Sequence, residues 1–151
     1  MLQLATPADR DAVNELARQL HSLHVSWRPD IFEPVTEMYS AEHFEECITD
    51  RELYVHKIGG AIIGYALVHI EDFEGPGVVP QRRMFIDEFC VEEMFRDQGF
   101  GTEMMEAVWA LARAFRCTDL QLGVFPQNDD AVGFWQKCGF TIRSIEMQRK
   151  I

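Results

Sequence analysis

The succession of elements legible in this 151-residue chain is that of an α/β fold, a mixed and mostly antiparallel twisted sheet with helices on both faces. Three observations predict it. Short apolar, β-branched stretches recur at Leu53–Ile58, Ala61–Ile70 and Met84–Val91. Stretches with a 3.6-residue apolar period stand before and after them. Gly59-Gly60 separates the first two strands by a two-residue turn, so at least this part of the sheet is antiparallel.

In chain order, Leu2 to Ala5 forms a short opening strand. Thr6-Pro7-Ala8-Asp9 starts a helix: a threonine cap, a proline at the first position, and an acid three residues after the cap. Val13, Leu16, Ala17, Leu20 and Leu23 continue it. From His24 the segment HVSWRPDIFEP reads as irregular. A weaker helix covers Ala41 to Thr49. The hairpin follows, then an acidic loop from Glu71 to Pro80, and the strand Met84–Val91. A glycine loop at Gly99 and Gly101 opens a helix whose stripe is Met104, Val108, Leu111 and Phe115. Leu120 to Phe125 is a strand. Ala131, Phe134, Trp135 and Cys138 mark a helix capped by Asn128 and stopped by Gly139. Phe140 to Ile151 returns as one or two strands.

Nothing divides the chain: there is no repeat, low-complexity tract or linker, so residues 1–151 are expected to be one domain. No apolar run reaches the roughly 20 residues of a membrane span. The first residues lack the basic and apolar regions of a signal peptide, so the expected location is cytoplasmic. Cys47, Cys90, Cys117 and Cys138 lie far apart without a CxxC pair and read as reduced thiols. The histidines show no metal-ligand spacing, so no metal is expected. With 25 acidic and 14 basic side chains, a formal charge of −11, the composition argues against a nucleic-acid partner. The same charge suits a cationic acceptor such as an amine, or simply solubility.

The loop Arg96-Asp97-Gln98-Gly99-Phe100-Gly101 carries the chemistry. It lacks the Lys-Ser/Thr that completes a P-loop, and Met104 stands where a dinucleotide fingerprint needs its third glycine. Between a strand and a helix, Arg-x-x-Gly-x-Gly still forms a cradle for an oxyanion. Glycine allows close approach, and the free N–H groups of the helix start point at the anion.

Followed by LQLGVF and then by NDDAVGFWQKCGF (Asn128 to Phe140), this loop resembles the pyrophosphate-binding motif of the Gcn5-related N-acetyltransferase family. The similarity runs from about Ile86 to Phe140. The acid-acid-aromatic-x-Val of Asp87 to Val91 is similar to the branch that acetylates small amines. The resemblance implies the acyl-CoA N-acyltransferase fold and acetyl transfer from acetyl-CoA to a primary amine, on a small molecule or on a peptide, by direct attack in a ternary complex. It implies that Phe89, Cys90 and Val91 pair through their backbone with the pantetheine arm, and that an N–H of Phe89 or Val91 polarises the thioester carbonyl. Arg96, Asp97, Gln98, Gly99, Phe100, Gly101 and Thr102 would wrap the pyrophosphate. Asn128, Trp135 and Lys137 would line the cofactor farther along, Lys137 reaching the 3′-phosphate or standing as a solvated helix lysine.

An amine near pKa 10 must lose a proton before it attacks, and Asp87 and Glu88 are the candidate bases. Strict alternation puts them on opposite faces of the strand, so only one reaches the acceptor unless a bulge intervenes. Trp135 departs from the family, where a tyrosine proposed to protonate the leaving thiolate often stands; indole offers no acidic proton. Either the thiolate leaves unaided, or Tyr39, Tyr54, Tyr65 or Cys138 substitutes. His24, Trp27, Arg28 and Phe32 are candidates for the acceptor wall. Trp135 also leaves open a second reading, a non-catalytic module that binds or senses acyl-CoA. Exposed strands permit a homodimer.

Overall fold

The computed structural model describes Met1 to Ile151 throughout. The elements are β1 (Leu2–Leu4), α1 (Arg10–Trp27), α2 (Ala41–Thr49), β2 (Leu53–Ile58), β3 (Ala61–Phe73), β4 (Gln81–Val91), α3 (Phe100–Ala114), β5 (Asp119–Leu122) and α4 (Asp129–Lys137). The strands form a single sheet in the order β1-β2-β3-β4-β5. Every pair is antiparallel except β4 with β5, which is parallel. No helix is long and apolar enough to cross a membrane.

The two faces of the sheet bury different cores. On one, Val13, Leu16 and Ala17 of α1 and Phe44 and Cys47 of α2 pack on Leu53, Val55 and Tyr65. On the other, Met105, Val108 and Ala112 of α3 cover Ala66, Val68, Met84 and Ile86. Burying side chains of this size contributes about 1.5–3 kcal/mol each. The Thr6-Pro7-Ala8-Asp9 signature starts a 3-10 turn, Pro7–Asp9, rather than α1 itself, which follows directly from Arg10. The Thr6 N–H and hydroxyl both donate to Asp9 Oδ2, at 2.8 and 2.9 Å, and Lys57 Nζ lies 2.7 Å from Asp9 Oδ1.

Four further boundaries differ from the sequence reading. Helix α1 continues through His24 to Trp27, because no breaker precedes Pro29. The β3–β4 hairpin is longer than expected. Arg82 donates twice to Asp72, at 3.0 and 2.8 Å, and the Arg83 guanidinium lies 4.1 Å from the centre of the Phe73 ring. These pairs carry the ladder past Ile70. Strand β5 stops at Leu122 rather than Phe125. After Phe140 there is no strand at all: residues 141–151 join no ladder of the sheet.

Candidate active site

The centre of the molecule is a bulge in β4. Tyr65, Ala66 and Leu67 pair with Cys90, Phe89 and Glu88, but Val68 pairs with Ile86, so Asp87 is the extra residue. The bulge resolves the alternation problem, placing both acids on the face covered by α1 and α2. Tyr65, Leu67 and His69 are alternate residues of β3 and share that face. Glu88 Oε2 accepts from the hydroxyls of Tyr65, at 2.5 Å, and Tyr39, at 2.8 Å. Asp87 Oδ2 lies 2.5 Å from His69 Nδ1. Burial and then the Glu88 charge push both tyrosine hydroxyls far above their ordinary range, so both stay protonated and donate to Glu88. Burial pulls His69 down, but Asp87 and Glu71 outweigh it and the net direction is up.

Beside the bulge, one edge of β4 is open. Pairing with β5 ends at Ile86–Leu122, and the two strands then diverge. The Glu92 N–H donates to Ile63 of β3 at 2.8 Å. Successive N–H groups alternate sides, so those of Phe89 and Val91 face the open edge. A thioester lying along that edge would meet these two donors.

The open edge leads to the glycine loop. The side chains brace the loop from within: Arg96 Nε donates to the Val91 carbonyl at 2.8 Å, and Gln98 Nε2 to the Met94 carbonyl at 2.7 Å. Helix α3 makes its first backbone bond from Glu103 to Gly99, leaving the N–H groups of Phe100, Gly101 and Thr102 free at the helix start. Asp97 and Gly99 both have positive φ, 59° and 90°, and turn the chain into α3. Gly101 is small for another reason: a Cβ there would sit 3.4 Å from the Phe134 ring, where α3 packs on α4.

Helix α4 supplies an aromatic floor. Trp135 packs at 5.0 Å on Phe89, 4.9 Å on Phe134 and 5.5 Å on Phe140. Asn128 Oδ1 caps the helix through the Ala131 N–H, and Lys137 is exposed at the far end. Cys90 lies inside the core, where burial pushes its thiol up to about 11, which leaves it unsuited to act as a nucleophile.

The four acceptor-wall residues are brought together at the end of α1. The His24 ring lies 5.8 Å from Trp27, 5.5 Å from Phe32 and 6.1 Å from Phe125, the last contributed by the segment after β5. Burial, then His21, pushes His24 down, while the charge of Glu88 acts on it in the other direction. Arg28 is already engaged: it pairs with Asp30 at 2.9 and 2.8 Å, bonds Gln148 at 3.1 Å and stands 5.7 Å from the Phe125 ring. It holds the wall together rather than offering a free charge.

Sequence reasoning missed two parts of this arrangement. His69 follows Tyr65 at a strand spacing of four, the available signal that both face the same side. Buried Asn14 accepts from the Met38 and Tyr39 N–H groups and donates to the Tyr39 carbonyl, pinning the loop that carries Tyr39. A lone polar residue inside the helical stripe was its only trace.

The sequence profile of the Acetyltransferase (GNAT) family matches residues 17–140. This chain belongs to that family. It is 30% identical over 59 residues to the spermine/spermidine N(1)-acetyltransferase of Bacillus subtilis, covering 38% of this chain and 39% of that protein. The matched stretches span about half the length of the curated relatives, between 39 and 54%. Among solved structures, a Phe44→Arg variant of the BH1408 protein from Bacillus halodurans superposes with a TM-score of 0.94 at 24% identity, covering 100% of this chain and 99% of the other. An aminoglycoside N-acetyltransferase solved with CoA gives 0.71 at 17% identity, with both chains covered completely. GNAT membership thus agrees with the mixed, mostly antiparallel sheet and its helices.

Proposed function

We propose that this chain, acting as one catalytic domain, transfers an acetyl group from acetyl-CoA to a primary amine by direct attack in a ternary complex. The observation that carries this reading is the bulged half of β4: one edge offers two backbone donors, and the adjoining face offers two carboxylates. The N–H groups of Phe89 and Val91 stabilise the oxyanion that develops on the thioester carbonyl, each such donor contributing about 3 kcal/mol. The helix start at Phe100–Thr102 receives the pyrophosphate, with Arg96 bracing the loop. Trp135 and Phe89 line the apolar arm of the cofactor.

Glu88 serves as the base. Two tyrosine hydroxyls fix Oε2, which leaves Oε1 to accept a proton from the ammonium of the acceptor, directly or through water. The amine nitrogen then attacks the carbonyl carbon, the C–S bond breaks, the sulfur leaves as thiolate, and the nitrogen releases its second proton to solvent. A free thiol has a pKa near 8.5, so this departure needs no acid from Trp135. Asp87, with His69, lines the approach and favours a cationic acceptor. Acetylation of spermine, spermidine and aminoglycosides by proteins of this fold supports a primary amine on a small molecule, with a peptide amine as the other form of the same chemistry. A cytoplasmic setting, where acetyl-CoA is made and used, fits this reaction.

The test is calorimetric titration with acetyl-CoA, together with thiol release across a panel of primary amines. Binding and amine-dependent release are expected. Binding without release on any amine would favour a sensing module, the reading that Trp135 raises, and absence of binding would sink the assignment of the glycine loop.

A further inference from the structure

The face that carries the acids has two chemically different ends. At one stand Asp87 and Glu88, side by side at the bulge. At the other, three rings meet from three separate segments: His24 from α1, Phe32 from the connection to α2, and Phe125 from the chain after β5. Their centres lie 5.5 Å (His24–Phe32), 5.9 Å (Phe32–Phe125) and 6.1 Å (His24–Phe125) apart. The Phe125 ring stands steeply to both others, at 81 and 72°. All three remain half-buried, and the connection to α2 also leaves Ile31 and Val35 51 and 42% exposed. Ring edges left in water are stabilised when a bound molecule covers them with a ring of its own.

The ionic groups at the ring end are matched with each other. The Arg28 guanidinium stands 5.7 Å from the centre of the Phe125 ring, the place that a ligand ammonium would otherwise take. Its bonds to Asp30, at 2.9 and 2.8 Å, engage the carboxylate as well. Burial and then His21 hold His24 below its ordinary range, so at neutral pH it presents an uncharged ring. A second ammonium at this end would therefore meet Arg28 instead of a free acid. Glu88 is near enough for its charge to act on His24, so one small molecule spans both ends. We infer that the acceptor is a primary amine carrying an aromatic ring, with its ammonium at Glu88 and its ring on His24, Phe32 and Phe125, and that it is not an aliphatic polyamine. The inference rests on the acetyl-transfer reading and narrows its substrate class.

The test is thiol release from acetyl-CoA with 2-phenylethylamine, propylamine, putrescine and spermidine. About 0.15 M salt screens the general attraction of the acidic surface for polycations. The kcat/KM for 2-phenylethylamine should exceed that for each of the other three at least about tenfold. Phe125→Leu keeps an apolar side chain and removes the ring, and should reduce that preference at least about threefold, with circular dichroism checking the fold. Putrescine or spermidine used as well as 2-phenylethylamine, or a preference untouched by Phe125→Leu, would overturn the inference. No turnover with any amine would instead defeat the transferase reading. Equilibrium dialysis of 2-phenylethylamine and of putrescine then decides the ring end by itself: binding about tenfold tighter for the aromatic amine sustains it, and equal binding ends it.

Discussion

Gln81–Ile86 and Asp87–Val91 are halves of the same strand, yet their surroundings differ. The first half has β3 on one edge and β5 on the other, and its Met84 is completely buried under α3. The second half keeps β3 but loses β5, and begins with a bulge. In the first half Arg83 to Ile86 pair on both edges, and Met84 and Ile86 are buried in the core. In the second, the edge N–H groups and two carboxylates are left for something else. The difference shows how a sheet makes a reactive surface without spending its core: one extra residue, Asp87, turns the second half out of register with β5 while the ladder to β3 continues.

Substitutions in the two halves should therefore have separable effects. The largest is Glu88→Gln, expected to lower kcat/KM for the amine about 10³-fold with a thermal midpoint close to wild type, because the amide oxygen still accepts from Tyr39 and Tyr65. Asp87→Asn should cost about tenfold, mainly in KM for cationic acceptors, since it changes the approach rather than the proton transfer. Equal losses in the two variants would count against Glu88 as the base. In the first half, Met84→Ala should destabilise by about 3 kcal/mol in urea unfolding while the folded fraction keeps its KM for acetyl-CoA. A large change in that KM would show that the halves are not independent.

Most of the fold was legible because its signals are local. Helix α2, strand β2 and the Gly59-Gly60 turn match the sequence reading at both ends, since capping by Ser40 fixes the start of α2 and the two glycines end a short strand buried over its first four residues. The boundaries that differ depend on partners distant in sequence. The hairpin extension needs Arg82 to meet Asp72, and whether the residues after Phe140 form a strand depends on pairing with another strand, which no local pattern carries. The glycine loop was legible as a motif, but the two glycines turn out to have separate reasons, a left-handed turn at Gly99 and helix contact at Gly101. The face shared by Asp87 and Glu88 was not legible, because alternation in one strand cannot reveal a bulge that exists only in the register of two.

Tyr65→Phe sharpens the comparison from the other side of the bulge. The hydroxyl is buried and spends its one hydrogen bond on Glu88, so its removal should cost about 1–2 kcal/mol of stability. The same change frees Glu88 Oε2 from one of its two donors, and kcat should fall several-fold with its pH profile displaced. A variant with unchanged kcat and profile would mean that the tyrosine only fills space.

The smallest effect concerns two histidines on the face that carries the acids, one beside the bulge and one in the aromatic wall. The net shift of His69 is upward, because Asp87 and Glu71 outweigh burial, so its contribution to stability is complete below the unfolded value of about 6.5 and fades as pH rises through the folded value. The group is partly exposed, and the contribution should stay below about 1 kcal/mol. His24 is shifted the other way by burial, so its environment stabilises the fold at high pH and that contribution is lost as pH falls below about 6.5. Urea unfolding between pH 5 and 9 separates them. Relative to wild type, His69→Gln should lose stability at pH 5.5 and little at pH 9, whereas His24→Gln should relieve the loss of stability on acidification. If both variants flatten the acid side in the same direction, the pairing of His69 with Asp87 does not hold in solution, and the bulge must be oriented by the tyrosines alone.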